Sequence, residues 1–433
     1  MKVLADLHLH SKYSRATSKD LNFENLEKYA RIKGLTLLGT GDFTHPKWIK
    51  EAREALAETS SDSGVFKTKT GFPFVLQGEI SLIYTQDNKG RRVHLVLLAP
   101  NFEVVKQIND FLLTKGRTDY DGRPIFNIPC PDFAELMKKI SNDIEIIPAH
   151  IWTPWFSMFG SESGFNTVEE CFKDQTKHIF ALETGMSSDP EMNWRVSSLD
   201  KYSLVSNSDS HSFWPWRMGR ECNIFEMKDL NYKNLINSIR TKKGFLETIE
   251  VDPNYGKYHF DGHRNCNISF SPEETKKHNN ICPVCRKKLT IGVLNRVEEL
   301  ADRPLGFVPK GAVPFRRIIP LSEILSTLLS SGIATQKVWK EYNNLIMNFG
   351  SEFNVLLDAK KEELMKFTSE KIADAIIQNR FGKVKIIPGY DGEYGYPVFS
   401  DEDIKEKKHI KNSKIIITKE KEKKVQKGLN DFM

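Results

Sequence analysis

The sequence predicts an α/β protein: a domain of repeated strand–helix units, then a small Cys/His module, then a mostly α-helical region. Three observations predict it. Within residues 1–225, seven apolar runs of strand length alternate mostly with amphipathic helical patterns. That alternation argues for a parallel, barrel-like or doubly wound α/β domain. Residues 255–310 gather three of the six cysteines, Cys266, Cys282 and Cys285. From 320 to 379 the apolar spacing is helical.

The strand-like runs are residues 2–7, 35–40, 74–79, 92–99, 144–149, 178–184 and 202–207. Between the first two lies a helical pattern over 23–33, with Leu26, Tyr29 and Ala30 on one face and Gly34 as its C-cap. The third and fourth runs are joined by a polar turn at 86–90, which suggests a hairpin or lid. Further on, 321–330, 336–348 and 362–378 are expected helices, and the Gly/Tyr-rich stretch 386–396 a loop. The last thirty or so residues are lysine-rich with few large apolar side chains. They cannot bury a core, so 399–433 is expected to be a flexible basic tail.

Composition bounds the function. With 39% hydrophobic residues in 433, a sizeable core is possible. No segment approaches the roughly 18–20 apolar residues that span a bilayer, so no membrane partner is expected. A ligand-bearing strand expected from residue 2 leaves no room for a signal peptide, and the cytoplasm is the expected location. The cysteines do not form a secreted disulfide framework; Cys130, Cys171 and Cys222 read as small buried hydrophobes. A net charge of +6 permits nucleic-acid binding without demanding it.

Ligand-type residues recur at the strand ends. His8 and His10 alternate along the first strand and so aim two imidazoles to one side. Asp42 and His45 follow the second, Glu79 closes the third, His94 lies early in the fourth, His150 ends the fifth, and Asp209 and His211 follow the last. Functional groups of α/β barrels gather at the C-terminal ends of strands. Nine such side chains exceed the needs of one zinc, and two or three ions would use them, with Glu79 bridging. Such ions activate water and steady a leaving oxygen, so no protein nucleophile is required. Four of the seven tryptophans flank these ligands: Trp152 and Trp155 after His150, Trp214 and Trp216 after His211. With Arg217 they suit an unstacked base, although two aromatic lids packed on each other would look the same.

His263-x-x-Cys266 and Cys282-x-x-Cys285 have the spacing of a closed structural zinc site; His259 and His278 compete with His263 for the fourth position. The chain ends with Gln426, Leu429, Phe432 and Met433 in the order Q-x-x-aliphatic-x-x-F-apolar. One 3₁₀ turn would put Leu429 and Phe432 on one face, and the pattern resembles the peptide that docks on the sliding clamp PCNA.

The ligand order resembles the PHP (polymerase and histidinol phosphatase) superfamily. That resemblance implies a distorted seven-stranded (β/α) barrel over residues 1–225, its edge reaching to about 250, holding two or three divalent metals (zinc, manganese or magnesium), with Asp209, His211 and Glu79 in the catalytic positions. The superfamily reads T-D-H where this chain has Gly41-Asp42-Phe43, so His45 is assigned by inference. A histidine expected shortly after His10 is missing from Ser11-Lys12-Tyr13-Ser14-Arg15, which leaves the third ion open. Adding D-G-H-R-N-C (261–266), the zinc module over 255–310 and the helical domain with its P-G-Y-D-G-E-Y-G loop over 311–398, the whole chain resembles the endonuclease Q family. This implies an archaeal or bacterial DNA-repair enzyme that cuts 5′ of deaminated bases (uracil, hypoxanthine, xanthine) or abasic sites in damaged DNA. A phosphatase of small monoesters and a non-catalytic DNA-binding scaffold are the competing expectations.

Overall fold

A computed structural model describes residues 1–399, so the clamp-type peptide Gln426, Leu429, Phe432 and Met433 lies outside the described residues. The fold is mixed α/β. Seven strands carry the site: β1 (Lys2–Asp6), β2 (Leu37–Gly39), β3 (Pro73–Gln86), β4 (Lys89–Ala99), β5 (Glu145–Pro148), β6 (Ala181–Glu183) and β7 (Ser203–Val205). Each falls on one of the seven expected runs. β1 and β2 pair in parallel, as do β2 and β3. β3 and β4 form a long antiparallel hairpin, and β5 joins β4 antiparallel. The hairpin turn has Asp87 at φ 53° and Asn88 at φ 57°, the left-handed pair that a tight two-residue turn requires.

β6 and β7 form a separate parallel pair. Backbone bonds tie its ends to the main sheet on both sides: Ile151 N donates to Glu183 O at 3.0 Å, and His10 N to Ser210 O at 3.0 Å. One face of all seven strands meets in a single buried cluster, including Val3, Leu37, Val75, Val96, Ile147, Ala181 and Val205. The opposite face packs on helices such as α1 (Phe23–Lys33), through Leu26 and Ala30. Asn22 caps α1 by accepting from Asn25 N, and Gly34 ends it at φ 100°, the left-handed position that glycine fills without strain.

The sheet does not stop at residue 225. β8 (Cys222–Glu226) runs antiparallel to β1, β9 (Phe245–Glu250) follows it, and β10 (Phe315–Arg317) adds in parallel beyond. Two expectations change further on. The helix expected over 362–378 is two, Lys361–Leu364 and Glu370–Arg380, because Ser369 caps a new helix start at Ile372 N. The loop expected over 386–396 is flanked by a short ladder, Lys385–Ile387 with Tyr396–Val398. No helix among the described residues is long and apolar enough to cross a membrane.

Candidate functional site

The main site lies just beyond the ends of β1, β5 and β7, with β3 and β4 contributing from within. His8, His10, Glu79 and Asp209 bring one ligand atom each within 4.8 Å of one another, and Glu79, His94 and His150 do the same. Glu79 belongs to both groups. Its Oε2 lies 3.4 Å from His8 Nε2 and 3.1 Å from His10 Nε2, while Oε1 lies 2.9 Å from His94 Nδ1 and 3.4 Å from His150 Nε2. Asp209 Oδ1 is 2.9 Å from His10 Nε2.

These atoms fit cations. His8 Nδ1 donates to Glu183 at 3.0 Å and His10 Nδ1 to Asp42 at 3.0 Å, so each Nε2 turns a lone pair toward carboxylate oxygens. His8 Nε2 and Glu79 Oε1 are buried without a hydrogen-bond partner. Such orphaned buried acceptors are costly unless something positive lies between them. Burial disfavours charge on His8 and His10, yet the surrounding carboxylates outweigh it and raise both imidazoles well above their ordinary pKa. Burial likewise opposes charge on Glu79 and Asp209, but Arg123 and the imidazoles hold Glu79, and His8 and His10 hold Asp209, well below the usual carboxylate range. Burial pushes His94 down to about 4. Two of the ligands, His150 at φ 31° and Asp209 at φ 46°, and Asp42 at φ 38° have left-handed backbones. Such conformations cost about 1–3 kcal/mol each and persist where surrounding contacts over-determine them.

Three expected ligands are not brought into either group. Asp42 stands behind His10, accepting from Ser11 N and, at 2.7 Å, from Ser14 Oγ; it orients an imidazole. His45 stacks on Tyr13 at 4.3 Å and its Nε2 lies 3.3 Å from Asp119 O. His211 stacks on His10 at 4.2 Å, with Nε2 3.8 Å from Asp209 Oδ1 and its side chain 32% exposed. Sequence reasoning missed two contributors. Glu183 ends β6, the one strand to which no ligand was assigned, and its position alone was the signal. Arg123, 3.1 Å from Glu79 Oε2, comes from a loop that carried no signal.

A cavity of about 500 Å³ opens on the centre. His94, His150, Asp209 and His211 form part of its lining, with Trp155, Phe156, Met186, Tyr258 and Tyr394 as apolar walls and Arg220 and Lys257 as cations. Trp155 meets Tyr258 edge-on at 5.5 Å and is 36% exposed. The other expected base-binding tryptophans turn inward. Trp152 is buried against Phe159, its Nε1 donating to Asn193 at 2.8 Å. Trp214 and Trp216 stack on each other at 5.1 Å and both pack on Trp339, because covering that apolar area is more favourable than leaving it wet. Arg217 faces an adjoining cavity of about 210 Å³, together with Arg220, Tyr255 and Glu323.

The second group is His263, Cys266, Cys282 and Cys285, again within 4.8 Å. Cys285 Sγ lies 3.4 Å from His263 Nδ1. The competing histidines are elsewhere: His259 stacks on Phe260 and His278 on Phe270. Three thiols and one imidazole are the donor set of a closed tetrahedral site.

Comparisons with known proteins place the chain among related structures. The lesion-specific endonuclease PfuEndoQ of Pyrococcus furiosus superposes with a TM-score of 0.83 and 32% identity, over 94% of this chain and 97% of that one. A complex of endonuclease Q with a 27-mer duplex substrate, an abasic lesion at its active site, gives 0.83 and 32% over 93% and 98%. The uncharacterised protein MJ0043 of Methanocaldococcus jannaschii is 33% identical over 294 residues, 67% of this chain; the matched part spans 36% of that protein's length. A family model described as the MJ0043 C-terminal domain matches residues 320–383.

Proposed function

Because the chain belongs to the endonuclease Q family, we propose that it is a lesion-specific DNA endonuclease. It is a metal-dependent hydrolase acting on the phosphodiester 5′ of a deaminated base (uracil, hypoxanthine or xanthine) or of an abasic site. One observation carries the reading: Glu79 joins two ligand groups at the edge of a cavity with aromatic and cationic walls. A monoester phosphatase has no use for walls made of Trp155, Phe156, Tyr258 and Tyr394. An unstacked base does, since stacking is worth roughly 1–3 kcal/mol per base. Extrusion costs least where the base is mispaired, damaged or absent.

Divalent cations (zinc, manganese or magnesium) held by His8, His10, Glu79, Asp209, His94 and His150 would supply Lewis acidity to a water and to the scissile phosphate. The chain's own residues do the rest. Glu183 and Asp42 keep the Nε2 lone pairs of His8 and His10 turned inward. Arg220 and Lys257 offer positive charge at the cavity wall, and the aromatic walls exclude water from the extruded nucleotide. Asp209, Glu79 and His211 take the catalytic positions, His211 being partly exposed beside Asp209.

Around this centre the seven strands read as a distorted (β/α) barrel. Residues 255–310 form a module held by structural zinc on His263, Cys266, Cys282 and Cys285, and 311–398 a helical domain. Both grip the duplex mostly through phosphates. The tail offers Gln426, Leu429, Phe432 and Met433 to PCNA.

The test pairs two substrates with metal-supplemented protein: a deoxyuridine-containing duplex and a phosphate monoester. Incision of the duplex alone, lost in Asp209→Ala, is expected. Monoester turnover alone would replace this reading with a phosphatase, and turnover of neither would leave a DNA-binding scaffold.

A further inference from the structure

Residues 117–124 form a strap beside the metal centre, and it is tied to its surroundings at several points. Arg117 pairs with Asp119, and Asp119 O lies 3.3 Å from His45 Nε2. Asp121 pairs with Arg15 at 3.3 Å. Gly122 O accepts from Thr44 Oγ1 at 3.2 Å, and Pro124 O accepts from Ser81 N at 3.0 Å, two residues from Glu79. Gly122 passes so close to Asp42 and Ser14 that a Cβ there would overlap Asp42 Oδ2 and Ser14 Oγ. The next residue is Arg123, and its guanidinium meets Glu79 Oε2 at 3.1 Å.

The other cations of this rim have carboxylate partners outside the centre: Lys12 has Glu51, Arg15 has Asp121, Arg117 has Asp119. Arg123 alone among them is partnered by a ligand of the centre. Its side chain remains 28% exposed. Glu79 Oε2 is also the carboxylate oxygen nearest His8 Nε2, at 3.4 Å, and at 3.1 Å stands second to Asp209 Oδ1 at His10 Nε2, so a cation held there would claim its lone pairs. The guanidinium would then keep its place, fixed by the strap, with N–H donors left for an incoming anion. Its five donors in a planar fork match phosphate geometry.

We infer that Arg123 is a catalytic residue: its guanidinium contacts the scissile phosphate and neutralises charge there during cleavage, and the strap exists to deliver it. The inference rests on the endonuclease reading above. It also gives Asp42 and His45 a place, as the seat of the strap.

The experiment compares Arg123→Gln, Arg123→Lys and Gly122→Ala with the wild-type chain on a deoxyuridine duplex, alongside barrel metal content by elemental analysis and thermal melting. Removing one preorganised donor to a transition state typically costs about 10²–10³-fold in kcat. R123Q is expected to lose that much, with KM, metal content and melting temperature held near wild type. R123K should recover part of the loss. G122A should lower kcat with the guanidinium still present, because the strap must lift. Wild-type kcat in R123Q would overturn the inference, as would loss of barrel metal, which would make Arg123 a prop for Glu79. A wild-type chain that incises no lesion overturns the endonuclease reading itself, an outcome read before any variant is compared.

Discussion

The carboxylate of Glu183 touches three things at once. It accepts from His8 Nδ1 at 3.0 Å, from the backbone N of His150 at 2.9 Å and from Asn207 Nδ2 at 2.9 Å. It therefore fixes the tautomer of one ligand and the backbone of another. Glu183→Gln replaces one acceptor oxygen with a donor and lets the His8 ring turn its proton inward. Loss of such an outer partner costs about 10–100-fold in metal affinity, and chelator competition should read a loss of that size. Unchanged affinity would remove Glu183 from the centre. A second buried acid gives a pH signature. Burial pushes Glu250 up to about 8, against hydroxyls of Thr248, Ser206 and Thr184 that favour its charge. The folded chain thus keeps a proton that the unfolded chain releases above the ordinary carboxylate range. By linkage, stability is fullest below about pH 4.5 as far as this group is concerned, and it falls as pH rises toward 8. Urea midpoints measured from pH 5 to 8 should decline in the wild type and decline less in Glu250→Gln; parallel slopes would mean that Glu250 is ionised in the fold.

Among elements, α1 shows why the sequence was legible in part. Its cap residues and apolar spacing are local, and the structure starts and ends it where they indicate. The seven strands were visible for the same reason, each holding a short apolar run, but β3 and β4 extend past theirs through polar residues, so Glu79 lies within its strand and does not close it. Lys33 was not legible. At the last turn of a helix a lysine ordinarily faces solvent and complements the helix dipole. Here it is buried, donating to Pro215 O at 2.8 Å and pairing with Glu352 at 2.7 Å. Glu352 in turn accepts from Tyr342 Oη at 2.8 Å and Leu321 N at 3.0 Å. That geometry depends on residues more than three hundred positions apart, which no local pattern encodes. Nor could a local pattern show that His45 meets Tyr13 and the strap's Asp119 O, or that Asp42 meets His10, Ser11 and Ser14. Breaking one side of a buried pair costs about 3–5 kcal/mol, whereas replacing both sides by packed apolar groups is often neutral. Lys33→Met should lower unfolding stability by about that amount, and adding Glu352→Leu should restore some of it. A loss under about 1 kcal/mol would be the value of an exposed pair and would contradict the burial.

At the scale of the whole molecule, the zinc-type module lies in sequence between the strands of the metal centre and the helical region, and its fold has little apolar support. Between 259 and 289 the buried hydrophobic side chains are Cys282 and Leu289. A segment that small cannot offset its ordering entropy by apolar burial alone. Its other ties are polar: Gly262 pairs with Thr290, Arg264 N donates to Asp391 at 2.7 Å, Phe260 N donates to Gly389 O at 3.0 Å, Tyr390 Oη donates to Asn267 at 3.2 Å, and Asp261 accepts from Gly292 N and Asn295 Nδ2. A metal on His263, Cys266, Cys282 and Cys285 would therefore supply most of the local folding free energy, as in small metallo-domains that unfold without their ion. The module also supports the cavity. Lys257 and Tyr258 stand at its start, and Gly392 N reaches back to Lys257 O at 2.8 Å, beside Tyr394. Losing the ion should then loosen one wall of the cavity and leave the strand domain alone. In Cys282→Ser/Cys285→Ser, limited proteolysis is expected to open sites between 264 and 288, with the main thermal transition and the metal content of the strand domain retained. KM for lesion DNA should rise by about tenfold, the 1.4 kcal/mol scale of one lost contact surface, with kcat less affected. A variant that resisted protease as the wild type does would show that the module's polar ties suffice, and one that lost the metal of the strand domain as well would show that the two centres fold as a single cooperative unit.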